Sequence, residues 1–247
     1  MLKRCPPLLG IGFWVLLWQL VAMLLAKPLL LPTPLATVTK LLSLARTLPF
    51  WQAVGGSLLR VLCGVLAALF FGTLLAWLTV RVKALYHLFS PLLSIFKSVP
   101  VVSVIFLLLL FVGRDLLPML IAFMMTLPIV FANAREGLLQ ANKDLLTMAA
   151  TFRVPRLSVP TKLHLPMLSP YLLAAARSAV SLGWKAGIAA EVLALTRNSI
   201  GLAIYEGRYY LETEALFAYT LAVLLISVGI ERVTLCLLGG KKEAGVC

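Results

Sequence analysis

Residues 56–80 read GSLLRVLCGVLAALFFGTLLAWLTV. Arg60 stands near the start, and from Val61 to Val80 there is no charge at all. About twenty helical residues rise about 30 Å, the thickness of the hydrocarbon core of a bilayer. The stretch is therefore read as a membrane-spanning helix, closed by Arg81 and Lys83 at the polar boundary. The rest of the chain supports a lipid environment. It has 247 residues, 62% hydrophobic and 13% charged, with a mean hydropathy of +1.02. A soluble domain has roughly 45–50% apolar and about 25% charged residues, so this chain has too few polar groups to cover itself in water.

Working outward, five more spans follow the same pattern. The first is an apolar run over about 8–26, preceded by Lys3 and Arg4 and ended by Lys27-Pro28. It is too long for the apolar stretch of a signal peptide and no small-residue cleavage site follows, so it is read as a retained helix. The third covers about 91–112 and is broken near Pro100, because a proline disfavours helical geometry in the residue before it. The fourth covers 116–133 with Pro128 inside it, the fifth 167–190 and the sixth 214–233. Between the first two spans, prolines 28, 32, 34 and 49 punctuate a mixed region in which 36–48 can form a short interfacial helix. Residues 134–166 and 191–213 are polar connections. The predicted fold is thus all-α and integral to the membrane, one domain over residues 1–247.

The net charge of +13 invites a nucleic-acid reading, but no basic run alternates with aromatics. The charges follow the positive-inside rule instead. With both termini inside, the inner segments hold Lys3, Arg4, Arg81, Lys83, Arg135, Lys143, Arg153, Arg156, Lys162, Arg232, Lys241 and Lys242. The outer segments hold Lys27, Lys40, Arg46, Arg114, Arg197 and Arg208, half as many. Cys5, Cys63, Cys236 and Cys247 have no metal-ligand spacing and are read as free or core thiols, with no disulfide framework inferred. His87 and His164 stand alone, so no metal site is expected. There is no phosphate-binding glycine loop, so any ATP-driven work falls to another subunit.

Ionisable residues within spans mark function or pairing. Arg177, Trp184 and Glu191 are seven apart, which keeps them within roughly 40° on one helix face. Ser181 shares that face and Lys185 flanks it. The functional reading is a stripe lining a translocation path, with Lys97 near the inner surface, and its cations suit a small anionic solute. The structural reading is interhelical ion pairing. Arg60 near the outer end of its span is read as snorkelling. Gly183 and Gly187 form a small-xxx-small pair for contact with another span or a second copy.

The segment 136–166 reads EGLLQANKDLLTMAATFRVPRLSVPTKLHLP. Asn142 suits an N-cap and Asp144 the first turn of a helix that Pro155 stops. A helical knob with an apolar face flanked by Arg153, Arg156 and Lys162 suits docking into a groove on a partner. Here the chain resembles the membrane subunits of binding-protein-dependent ABC importers. Their motif, E-A-A, three residues, G, nine residues, I-x-L-P, falls on Thr147-Met148-Ala149, Arg153 and Leu163-His164-Leu165-Pro166. Thr147 replaces the Glu, and Arg153 the Gly; Pro155 stands where the backbone has to turn. Phe96-Lys97-Ser98-Val99-Pro100, Phe111-Val112-Gly113, Gly183-Trp184, Ala189-Ala190-Glu191-Val192-Leu193 and Asn198-Ser199-Ile200-Gly201 resemble the nitrate/sulfonate/taurine-type permeases.

That resemblance implies a type I importer permease of MetI-like architecture in a bacterial cytoplasmic membrane. It implies a homodimer, two ATP-binding cassette subunits that hold ATP-Mg, and an extracytoplasmic solute-binding protein. The chain itself would bind no cofactor and catalyse no covalent step. Its coupling segment would be 143–166, with Thr147, Met148, Ala149, Arg153, Pro155, Arg156, Leu163, Leu165 and Pro166 at the docked surface. Two other readings stay open on the residues alone: an ion-coupled secondary transporter, and the membrane coupling component of a vitamin-type importer. The first would need inverted repeats or an intramembrane acid pair, and neither is visible.

Overall fold

The computed structural model describes residues 7–140 and 165–238, and every regular element among them is an α-helix. In chain order these are α1 (Pro7–Leu25), α2 (Pro34–Leu44), α3 (Leu48–Arg81), α4 (Lys83–Ser98), α5 (Val101–Leu109), α6 (Leu117–Leu139), α7 (Leu165–Ala194), α8 (Ile200–Tyr209) and α9 (Thr213–Leu238).

The helix starts follow local chemistry. The Thr33 hydroxyl accepts from the Ala36 amide at 3.2 Å, and Pro34 opens α2 where its missing N–H costs nothing. At α3 only the proline recurs: Pro49 sits in the first turn, while the Thr47 hydroxyl donates back to the Leu44 carbonyl at 2.7 Å and caps nothing, and the helix begins at Leu48 rather than at Gly56. The same boundary cuts α2 short at Leu44, where the sequence suggested a helix to 48. At 34 residues α3 is about 51 Å long, longer than the hydrocarbon core. The third expected span divides: α4 and α5 meet at 104° across Val99-Pro100. Val99 is extended (φ −77°, ψ 134°) as the following proline requires. By length and apolarity α3, α6 and Thr213–Thr234 of α9 each suffice to cross a bilayer, and the bent pair can make a fourth crossing. The apolar part of α1 is shorter, and α7 is long enough at 30 residues but carries Arg177, Lys185 and Glu191.

The centre of the bundle is α6, flanked by α3 on one side and α7 on the other. Small residues make this close approach feasible. On α3 the buried positions Ser57, Val61, Gly64, Ala68, Gly72, Ala76 and Thr79 recur at helical spacing and form one stripe. Gly64 lies against the Met119 carbonyl and Gly72 against Val130, both on α6. Gly183 and Gly187 of α7 receive Val65 and Val61 of α3. The small-xxx-small pair thus meets a span of its own chain. Large apolar side chains point the other way: Leu59, Leu66 and Phe70 are 67%, 62% and 64% exposed. A small-residue interior with Leu and Phe outside is the arrangement lipid solvates.

Two cysteine findings differ in kind. Cys63 is a free, half-buried thiol. Cys236 is disulfide-bonded, which corrects the expectation of free or core thiols at that position.

Candidate functional site

α7 carries every residue expected to line a path except Lys97, and its neighbours sort them into two groups. The first group is a polar concavity. Arg177, Ser178, Ser181, Leu182 and Lys185 of α7, with Glu231 of α9, line an open hollow of about 350 Å³. Arg177, Ser181 and Lys185 follow one another at four-residue steps, so they stack along one face. Lys185 is exposed and Ser181 half-buried. Glu231 and Ser178 are residues the sequence reading passed over. The signal for Glu231 was an acid close to the end of the expected 214–233 span.

The second group lies inside the protein. Trp184 is 1% exposed, and its indole N–H donates to the Val223 carbonyl on α9 at 3.2 Å. It packs in the cluster of Val61, Val65, Ala179 and Ile188. Glu191 is fully buried. The single stripe of Arg177, Trp184 and Glu191 is therefore corrected: only Arg177 of the three lines the hollow. Spacing fixes which residues share a face, and α3, α8 and α9 decide how much of that face stays open. Truncating Trp184 to Ala is expected to cost about 3–5 kcal/mol. Trp184→Phe keeps most of the packing and loses one hydrogen bond, about 1 kcal/mol. Thermal unfolding of the detergent-solubilised protein distinguishes the two.

Glu191 organises a network across the end of the bundle. Its carboxylate accepts from the Ser57 hydroxyl at 2.6 Å and from the Gly201 amide at 3.3 Å, and faces the Arg60 guanidinium at 3.5 Å. Ser57 in turn accepts from the Ile200 amide at 2.9 Å. The first two amides of α8 are thus satisfied by α3 and α7, and the carboxylate sits at the positive end of the α8 dipole. Arg60 also donates to the carbonyls of Arg197 at 2.8 Å and Asn198 at 3.3 Å. It is fixed by these contacts, which corrects the snorkelling reading. The ion pairing that the sequence left open is real at Glu191, but its partner is Arg60.

The turn that delivers α8 to this network is built tightly. Leu195 and Asn198 have φ of 53° and 46°. Asn tolerates that region, whereas a leucine there is strained. The Thr196 amide donates to the Glu191 carbonyl at 3.2 Å, the back-bond of a left-handed helix cap. The Thr196 hydroxyl donates to the Arg114 carbonyl at 2.9 Å, and Ser199 caps α8 through the Leu202 amide at 2.9 Å. Gly201 is required at the junction, because a Cβ there would lie 2.3 Å from Glu191 Cβ. The helix itself falls in the stretch read as a polar connection; Ser199 before an apolar pair was its start signal.

Lys97 is exposed on the last turn of α4 and does not line the hollow. Thr147, Met148, Ala149, Arg153, Pro155, Arg156 and Leu163 lie outside the described residues. Leu165 and Pro166 form the first turn of α7, where a proline is well placed.

Comparison with known proteins gives the arrangement a context. A probable ABC transporter permease protein of Haemophilus influenzae is 27% identical, over 92% of each chain. The taurine transport system permease protein TauC of Escherichia coli is 24% identical over 87% of this chain and 80% of its own. The bicarbonate transport system permease protein CmpB of Synechococcus elongatus is 28% identical over 81% and 76%. Among solved structures, a chain from the inward-facing MetNI methionine ABC transporter superposes with a TM-score of 0.54. It covers 74% of this chain and 93% of its own at 19% identity, which establishes the MetI-like fold. The family model for the inner membrane component of binding-protein-dependent transport systems matches residues 64–236, from the middle of α3 to the end of α9. The chain belongs to that family, the permease subunits of ABC importers.

Proposed function

We propose that this chain forms the translocation path for a small anionic solute, as one of two identical permease copies in an ATP-driven importer of a bacterial cytoplasmic membrane. The basic, hydroxyl-bearing hollow on α7 carries the reading. Arg177 and Lys185 supply two cations against the one carboxylate of Glu231, and Ser178 and Ser181 supply donors, on a helix that otherwise packs through small apolar residues. Ionisable groups are kept at such depth when they face a cavity or a partner. Relatives named for taurine and bicarbonate transport fit the same charge preference.

Both termini are taken as cytoplasmic from the distribution of Lys and Arg. The ends of α3 and α7 that meet α8 then face outward, where a solute-binding protein delivers its cargo. The opposite end holds segment 143–166, with the docking surface Thr147, Met148, Ala149, Arg153, Pro155, Arg156, Leu163, Leu165 and Pro166. Two ATPase subunits holding ATP-Mg bind there and drive alternating access, while this chain carries out no hydrolysis.

The test is a pull-down of the tagged protein from its native membrane in mild detergent, read by mass spectrometry. An ATP-binding cassette subunit is expected in the eluate. The triple variant Ala149→Glu, Arg153→Glu, Arg156→Glu is expected to lose that subunit at least tenfold, while the chain still inserts. Undiminished recovery with the triple variant would place ATPase docking elsewhere.

A further inference from the structure

The Glu191 network joins three helices through one buried side chain, and its parts are more specific than stability alone demands. Ser57 bridges α3 to both the Glu191 carboxylate and the first amide of α8. Arg60 spans from that carboxylate to two carbonyls of the 197–198 turn. The backbones approach so closely that a Cβ on Gly56 would lie 2.4 Å from the Asn198 carbonyl oxygen. Leu195 is held at a positive φ to make the approach. Strain of this kind persists where the surroundings over-determine the geometry. Meanwhile the far side of α8 is open: Glu206, Arg208, Tyr209 and Tyr210 are exposed. α8 is thus held at its first turn by α3 and α7 and at Gly207 by the Leu216 backbone of α9, with its outward face exposed, so it moves as part of the bundle.

We propose that Glu191, with Ser57 and Arg60, is a positioning residue that makes α8 a rigid extension of α3 and α7. Docking of the solute-binding protein on the outer surface then displaces α7 as a body instead of being absorbed by the 195–199 turn. This rests on the importer reading, in which that end of the bundle faces outward. α7 is also the helix that opens from the 143–166 segment and lines the basic hollow. A rigid junction at 191–201 therefore connects the outer docking surface, the path and the ATPase end through a single helix. Rigid connected elements with two arrangements are the physical means by which distant sites bias each other.

The experiment uses the full importer, purified with its ATPase and reconstituted in liposomes. ATP hydrolysis is measured with and without the solute-loaded binding protein. In Glu191→Gln the ratio of stimulated to basal hydrolysis is expected to fall by a factor of roughly 5–30, as loss of one charge-assisted contact does to a conformational equilibrium. Basal hydrolysis and subunit stoichiometry are expected to hold. Ser57→Ala leaves the ion pair and removes only the hydroxyl bridge, so it is expected to move the ratio in the same direction. It decides the matter if Glu191→Gln does not assemble. Glu191→Asp is expected to recover part of the ratio. An unchanged ratio in both Glu191→Gln and Ser57→Ala overturns the inference alone, as does loss of assembly in both, which would make the network a folding element. Absence of stimulation in the unaltered chain would overturn the importer reading and the inference with it.

Discussion

Gly64→Leu is expected to abolish recovery of folded protein from the membrane, the largest effect of any substitution away from the polar network. Even a methyl group has no room: a Cβ at position 64 would lie 2.3 Å from the Met119 carbonyl oxygen and 3.0 Å from Ala122 Cβ. The obstacle is backbone, so no rotamer relieves it. α3 and α6 would have to separate, and with them the stripe of Val61, Ala68 and Gly72. In lipid that separation has no hydrophobic penalty opposing it, because helices associate there mainly through close packing. Gly64→Ala is expected to cost about 3 kcal/mol, the upper end for overpacking, and leucine more. Gly55→Ala is the control. Nothing lies within 4 Å of a Cβ at that position, and alanine gains up to about 1 kcal/mol of helix propensity. The two alanine variants thus shift the thermal transition of the solubilised protein in opposite directions.

The opposite signs illustrate what the sequence can and cannot disclose. Positions 55 and 64 are both glycines of α3, and residue type alone does not distinguish them. Long apolar segments were legible because bilayer thickness is a strong constraint on length: α3, α6 and α9 stand where the hydropathy put them. The break at Pro100 was legible because proline geometry is local. Boundaries were less so. α3 starts earlier than its apolar run, since Pro49 suits a first helical turn and hydropathy does not report helix starts. α8 escaped notice because ten residues of mixed polarity give no membrane signal, and its burial depends on α9, whose Leu216 backbone receives Gly207.

For the site, residue type was informative and partner was not. A carboxylate at 191 and a guanidinium at 60 are each costly within a span, and the sequence marked both. It did not pair them, because they lie 131 positions apart and pairing is a property of the packing of α3 against α7. Likewise the spacing of 177, 184 and 191 defined a face correctly while leaving its cover unknown. Trp184 and Glu191 were assigned to the lining of a path, whereas both side chains are buried against α3, α8 and α9.

Glu191→Ala is expected to destabilise the protein by about 3–5 kcal/mol, the usual cost of breaking a buried pair by removing one partner. Two donors lose their acceptor at once, the Ser57 hydroxyl and the Gly201 amide, and Arg60 loses its counter-ion while its Nη1 keeps the Asn198 carbonyl. The fully buried carboxylate leaves no channel of solvent to replace it. Arg60→Ala is expected to cost less, because Glu191 keeps Ser57 and Gly201, and Arg60 is 20% exposed and partly hydrated already. The distances rank the two contacts of the carboxylate. The hydroxyl bond at 2.6 Å has the length of a charge-assisted O–H···O bond, whereas the guanidinium at 3.5 Å is beyond the 2.7–2.9 Å typical of N–H···O pairs. Double-mutant cycles measured by thermal unfolding should therefore give a larger coupling energy for Ser57 with Glu191 than for Arg60 with Glu191, within the range of about 0.5–3 kcal/mol for residues in contact. The reverse order would mean that charge neutralisation, not the hydroxyl bridge, holds α8 to the bundle. Arg60 would then be the residue on which the junction depends, through its grip on the 197–198 carbonyls.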